Sequence, residues 1–158
     1  MIRRLAAMLS LLALGTLAIA FASEPAPRVP TIDDLLTIKS VGGTQISPDG
    51  KWVAYTVGYG DFKQDAFINQ IWLAQTDSGK PFPLTRGEKS STNPRWSPDG
   101  QWLAFLSNRQ DDKNQIFLIN PNGGEAQQLT KSETAISNFA WSEDGPSLTP
   151  PPNQPRNL

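Results

Sequence analysis

The sequence predicts an all-β chain built as an incomplete β-propeller: two complete four-stranded blades and the start of a third, placed behind a secretory signal peptide. Three observations carry this. The phrase Ile46-Ser47-Pro48-Asp49-Gly50-Lys51-Trp52-Val53-Ala54-Tyr55 returns as Trp96-Ser97-Pro98-Asp99-Gly100-Gln101-Trp102-Leu103-Ala104-Phe105, and begins again as Trp141-Ser142-Glu143-Asp144-Gly145. A second phrase keeps step: Ile71-Trp72-Leu73-Ala74 through Leu84-Thr85 returns as Ile116-Phe117-Leu118-Ile119 through Leu129-Thr130. Finally, Ser97 to Ser142, Ile71 to Ile116 and Thr85 to Thr130 are each 45 residues apart. A period of roughly 40–45 residues with four short strands per unit is that of a propeller blade. Two independent phrases at one offset exclude a chance match.

The chain opens with Arg3 and Arg4, an apolar run over residues 5–21, and Ala20-Phe21-Ala22 before Ser23. Charged, apolar and small-x-small regions in that order form a signal peptide over residues 1–22. The expected address is export, to the periplasm or beyond the cell. Residues 23–30 hold three prolines and read as a linker. Thr31-Ile32-Asp33-Asp34-Leu35-Leu36 reads as a short capped helix, with Thr31 as N-cap and Asp34 three residues on. The two acids there favour the positive end of the helix rather than a metal.

The blades follow over residues 31–145. In Ser-Pro-Asp-Gly, proline presets φ, aspartate can bond its own backbone, and glycine takes the left-handed conformation that other residues resist. Such a turn between apolar runs is a tight hairpin. Across residues 102–107 one strand face carries Trp102, Ala104 and Leu106 and the other Leu103 and Phe105, so the sheet should be covered on both sides. Residues 116–119 form the third strand, Asn122-Gly123-Gly124 the next turn, and residues 127–129 the outer strand. Ser47 to Ser97 spans 50 residues, and the extra five fall in a loop at residues 58–67.

After Gly145 the repeat stops in mid-phrase, and residues 146–158 hold five prolines. Proline cannot donate to a ladder, so this segment reads as a disordered tail rather than a central strand. Its abrupt onset is what a truncated or frame-shifted product, or an incomplete gene model, would carry.

Residues 31–145 resemble the start of an S9-family serine peptidase, the prolyl oligopeptidase group, in its acylaminoacyl-peptidase or dipeptidyl-peptidase-like branch with WD40-like repeats. The helix phrase at Thr31 leading into Ile46-Ser47-Pro48-Asp49-Gly50 carries the likeness. Trp96-Ser97-Pro98-Asp99-Gly100, Leu106-Ser107-Asn108-Arg109 and Gly123-Gly124-Glu125-Ala126 before Leu129-Thr130 add to it. TolB-like periplasmic propellers share the blade phrase and are the alternative, which would make the chain a protein-binding module. The peptidase resemblance implies a propeller capping an α/β-hydrolase domain and admitting peptides rather than folded proteins. It also implies a serine on a Gly-x-Ser-x-Gly turn with an aspartate and a histidine. This chain has no histidine and no Gly-x-Ser-x-Gly, so no catalytic residue is assigned to it. Peptides would be substrates of the parent enzyme only.

Composition narrows the rest. With no cysteine there is neither a disulfide nor a thiolate ligand or nucleophile. Without the leader, 12 basic residues face 15 acidic ones, which offers no basic patch for nucleic acid. Asp111-Asp112-Lys113-Asn114 lacks the spaced oxygens and glycine of a calcium loop. In Gly87-Glu88-Lys89-Ser90 the glutamate interrupts the Gly-Lys pair of a phosphate loop. Lys89 with Ser90 or Ser91 lacks anything to lower the lysine pKa or build an oxyanion hole. The five tryptophans, at 52, 72, 96, 102 and 141, fall on strands or repeat-equivalent positions and read as packing. No cofactor or metal site is expected. Instead, two blades and a fragment leave open faces of roughly 300 Å² each, worth on the order of 7 kcal/mol of burial. The expected partners are therefore another protein or a second copy, held through those faces.

Overall fold

The computed structural model describes residues 28–77, 79–110 and 112–142, and the backbone of 148–149. The expected leader, most of the linker and Glu143-Asp144-Gly145 lie outside the described residues. A first sheet is formed by β1 (Ser40–Ile46), β2 (Trp52–Asp61), β3 (Ala66–Gln75) and β4 (Phe82–Pro83), joined in that order and antiparallel throughout. A second repeats it with β5 (Ser91–Trp96), β6 (Leu103–Ser107), β7 (Gln115–Ile119) and β8 (Gln127–Gln128). These are blades 1 and 2. A third begins as β9 (Ala140–Trp141), paired with β10 (Leu148–Thr149), so two residues of the proline-rich tail lie against the third blade's first strand.

Ahead of the blades, α1 (Ile32–Leu36) is capped as its sequence predicts. The Thr31 hydroxyl accepts from the Asp34 amide at 3.3 Å, and the Thr31 amide donates to the Asp34 carboxylate at 2.7 Å. Arg28 grips the same carboxylate with both terminal nitrogens at 2.5 Å. That pair, with the Thr31 bonds, holds the Asp34 carboxyl well below the usual range.

The hairpin turns match in both blades. Gly50 and Gly100 adopt φ 72° and 70°, conformations glycine takes without strain. The serine that opens each turn does more than sequence reading assigned to it. Ser47 Oγ donates to Asp49 Oδ1 at 2.6 Å and accepts from the Trp52 amide at 2.9 Å. Ser97 makes the same two bonds, at 2.5 and 3.0 Å, to Asp99 and Trp102. The aspartates in turn accept from the Lys51 and Gln101 amides at 3.1 and 3.0 Å.

The inserted five residues are a correction. They were expected in a loop, but they lengthen both strands of one hairpin. β2 and β3 are ten residues each, against five each for β6 and β7. The ladder runs unbroken from Trp52↔Gln75 to Asp61↔Ala66. Residues 58–61 and 66–69 pair cleanly, so the added residues go into ladder bonds rather than loop. The resulting finger carries Phe62 and Phe67, 69% and 75% exposed.

Packing divides the apolar residues as the alternation predicts. Leu103, Phe105, Phe117 and Ile119 of blade 2 pack with Trp96 against Ala54, Ile71 and Leu73 of blade 1. On the opposite face, Ala104, Leu106 and Ile116 pack against Ile136 and Phe139, with Trp141 at the margin. Blade 2 is therefore covered on both sides. On the outer face of blade 1, Val57, Ile68 and Gln70 are buried while Val53, Tyr55, Trp72 and Ala74 stay partly open.

Candidate functional site at the blade seam

Three sets of repeat-equivalent features recur among the described residues, one across the seam between adjacent blades and two within each blade. The first set stitches neighbouring inner strands. Trp96 Nε1 donates to the Gln45 carbonyl at 3.3 Å, and Trp141 Nε1 donates to the Arg95 carbonyl at 3.1 Å. Gln45 and Arg95 occupy the same place in the repeat, so each blade's indole grips the blade before it. Ile46 holds the tryptophan position in blade 1 and is 64% exposed.

The second set latches the outer strands. The buried Thr85 hydroxyl accepts from the Ile71 amide at 2.9 Å and donates to Gln70 Oε1 at 2.7 Å. Gln70 Nε2 then holds the Gly87 and Lys89 carbonyls at 2.9 and 3.0 Å. Blade 2 repeats this with Thr130, Ile116 and Gln115, and Gln115 Nε2 donates to the Ser132 carbonyl at 2.9 Å. These glutamines went unnoticed in the sequence, although Gln70-Ile71 and Gln115-Ile116 recur at the 45-residue offset.

The third set is a bulge in each inner strand. The β1–β2 register shifts between Gly42 and Gln45, and the β5–β6 register between Thr92 and Arg95. Gly43 and Asn93 sit there at φ 61° and 53°. Asparagine is among the few other residues that tolerate this region. Asn93 Nδ2 also reaches Asn138 Oδ1 in the third blade at 3.1 Å.

Arg109, flagged by the Leu106-Ser107-Asn108-Arg109 phrase, lies over the stacked pair Phe105 and Phe117, 5.2 and 5.1 Å from their ring centroids. It donates to Ser107 Oγ at 3.2 Å and Ser91 Oγ at 2.9 Å. Burial lowers its pKa, yet guanidinium stays charged at any relevant pH. The aromatic faces and two hydroxyls solvate it in place of a carboxylate.

The candidates weighed in the sequence resolve into framework contacts. Lys89 pairs with Asp112 at 2.5 Å, which depresses the Asp112 carboxyl. Ser90 Oγ accepts from the Asn69 amide at 3.1 Å, and Ser91 is held by Arg109, so neither serine meets the lysine as a base. The Gly87-Glu88-Lys89-Ser90 loop turns two carbonyls onto Gln70, the reverse of an amide cradle for phosphate. Among the described residues no group of three or more Asp, Glu, His or Cys could hold a metal. A groove of about 190 Å³ runs between the two Ser-Pro-Asp-Gly turns, lined by Asp49, Trp52, Trp96, Asp99, Pro121 and Asn122. One oxygen of each aspartate is committed to its own turn, and both carboxyls are pulled below their ordinary range, chiefly by the Ser47 and Ser97 hydroxyls. The seam is built to join blades.

The comparisons with known proteins agree with this framework. No family model matches the chain. The uncharacterized peptidase YuxL of Bacillus subtilis is 44% identical over 85 residues, covering 54% of this chain and 13% of that protein. Dipeptidyl-peptidase 5 of Porphyromonas endodontalis is 32% identical over 77 residues, covering 49% of this chain and 11% of that protein. The chain resembles the propeller of a peptidase. Among solved structures, the AtxE2 isopeptidase superposes with a TM-score of 0.60 at 20% identity, over 70% of this chain and 21% of that one. TolB from Acinetobacter baumannii superposes with a TM-score of 0.54 at 22% identity, over 68% of this chain and 25% of that one. At such identities these two show the fold alone, that of an open stretch of β-propeller. The S9-type resemblance read from the repeats stands, with TolB-type propellers as the second likeness. The chain spans only about an eighth of the length of YuxL.

Proposed function

We propose that this chain is the N-terminal propeller segment of an exported S9-type serine peptidase, inert by itself, whose parent hydrolyses peptides admitted through the propeller. The observation that carries the reading is the 44% identity to a peptidase over 85 residues, more than blade geometry alone would demand. In this reading residues 1–22 are a cleaved leader, 23–30 a linker, and 31–145 the first blades. In the same reading the chain supplies no catalytic, metal or cofactor ligand of its own. Its Ser, Thr and Gln latches keep each blade rigid, which is what a gate that sorts peptides by size requires. A nucleophile, its base and an oxyanion hole belong to a hydrolase domain elsewhere in the parent. The propeller likeness to TolB supports one other reading, a periplasmic protein-binding module.

Sequencing the gene from the codons of Trp141 onward, in all three frames, separates the two. Further blades followed by Gly-x-Ser-x-Gly and later aspartate and histidine support the peptidase. A stop soon after the last blade, with no hydrolase in any frame, overturns it in favour of a binding propeller. The purified chain should not turn over peptide substrates, and turnover blocked by a serine-directed inhibitor would contradict its inertness.

A further inference from the structure

We propose that Asn122 is a self-modification site: its side chain closes onto the Gly123 nitrogen, loses ammonia and is hydrolysed to a carboxylate. That carboxylate becomes the third in the groove between the two Ser-Pro-Asp-Gly turns. Asn122 is the one asparagine in the sequence that is followed by glycine. Each of the others precedes either a residue whose side chain crowds the ring closure or a proline, which has no N–H to lose. Glycine removes both obstacles.

The turn from β7 to β8 presents this pair to water. Asn120 holds the turn, its carbonyl accepting from the Gly123 amide at 3.1 Å and its Oδ1 from the Asn122 amide at 2.9 Å. The Asn122 side-chain amide makes no hydrogen bond among the described residues. Residues 122–125 are all exposed, so opening the Gly123 bond uncovers no core. The released Gly123 nitrogen gives its proton to solvent base and attacks Asn122 Cγ. The new N–Cγ bond forms, the Cγ–Nδ2 bond breaks, and the amide nitrogen leaves as ammonia with a proton from water. Water then opens the cyclic imide at either carbonyl, giving aspartate or isoaspartate with no change of oxidation state.

The Asp49-Gly50 and Asp99-Gly100 pairs could close the same ring, but their turns oppose it. Each Oδ1 accepts from a serine hydroxyl and from a backbone amide, which favours the ionised form. An ionised carboxylate has no leaving group to match ammonia. Asn122 also lines the groove with Asp49 of blade 1 and Asp99 of blade 2. Lys51 Nζ lies 3.8 Å from Asp49 Oδ2, and Asp99 has no basic partner among the described residues. A carboxylate at position 122 therefore meets like charge across the seam, and the modification loosens the hold of blade 2 on blade 1.

The folded chain, held at mildly alkaline pH and digested beside a sample taken at time zero, tests the site by mass spectrometry. A gain of about 1 Da should accumulate on Asn122, located by fragmentation, as separate aspartyl and isoaspartyl forms. Asn114 is exposed too but precedes Gln115, so it should stay unconverted. Asn122→Gln should abolish the gain. No gain at Asn122, equal gain at Asn114, conversion confined to the urea-unfolded chain, or aspartate without isoaspartate would each overturn the site. The charge is read separately, by thermal unfolding. Asn122→Asp should melt below Asn122→Gln at low salt, and the gap should close at high salt. Equal midpoints at low salt, or a gap that salt leaves unchanged, would overturn the effect on the seam.

Discussion

Blades 1 and 2 share their turns, latches and bulges at equivalent positions, yet they differ in how far they are shielded from water. β5 is buried at Ser91, Pro94 and Trp96, while its counterpart β1 is exposed at every position but Gln45. Phe105 and Phe117 are sealed, whereas Tyr55 and Trp72, in the same places, are half open. Local geometry in this fold is thus dictated by residues close in sequence, and burial by whether another blade lies alongside. Trp96 and Ile46 make the point at one position. The Trp96 indole reaches the neighbouring blade at 3.3 Å, whereas the aliphatic Ile46 in the equivalent place is 64% exposed.

The sharpest way to break this comparison is to truncate equivalent side chains. Phe117→Ala should cost about 3–5 kcal/mol, as expected for emptying a sealed aromatic site. Trp72→Ala should cost well under half of that, because water already reaches its site. Urea unfolding of both variants checks this, and equal losses would erase the distinction between the blades.

The latches provide the opposite control, since both are buried alike. Thr85→Val strands the Ile71 amide and Gln70 Oε1, and Thr130→Val strands the Ile116 amide while Gln115 Oε1 keeps the Ser132 amide at 2.9 Å, so each should cost about 1–3 kcal/mol. Similar losses in the two blades would confirm that latch energy is local. A smaller effect for Thr85 would mean that blade 1 is loose throughout, not only on its outer face.

The seam bond is worth less. Trp96→Phe keeps most of the ring but frees the Gln45 carbonyl, for a loss of about 1 kcal/mol. Ile46→Trp in this chain should gain no comparable stability, because Ile46 is 64% exposed and no blade packs beside it among the described residues. Thermal unfolding midpoints decide both.

The smallest effect is on acid stability and should be shared by the two turns. Asp49 and Asp99 are held below their ordinary range by the Ser47 and Ser97 hydroxyls first and by backbone amides second. A carboxyl depressed in the folded state stabilises it above the unfolded pKa, ~3.9, and that contribution fades as pH falls through the lower folded value. Melting temperature should therefore drop below about pH 4. The drop should be shallower in a chain carrying both Asp49→Asn and Asp99→Asn.

Much of this was legible in the residues. The 45-residue offset and the Ser-Pro-Asp-Gly phrase foretold the blades, and the alternation at residues 102–107 foretold that both faces of that strand would be covered. The capping box at Thr31 and Asp34 was readable because its partners are three residues apart. What escaped notice depends on groups distant in sequence. Gln70 and Thr85 are 15 residues apart, and Trp96 and Gln45 are 51 apart, so their bonds become visible only once strands are paired. The misplaced insertion has a similar origin. Gly58, Gly60 and the charged Asp61 suggest a loop, yet in an antiparallel hairpin the opposing residues 66–69 complete the ladder and carry the strands outward. For function, the absence of histidine excluded a Ser-His-Asp site from the outset, and the described contacts give each remaining candidate a framework partner.

Hydrogen exchange by mass spectrometry, at a concentration low enough to keep the chain monomeric, tests most directly whether blade 1 is open and blade 2 closed. Amides of β6 and β7 should exchange most slowly, with β1 and the hairpin finger exchanging orders of magnitude faster. Equal protection of β1 and β5 in the monomer would contradict the account, since the outer face of blade 1 would then have to be covered already.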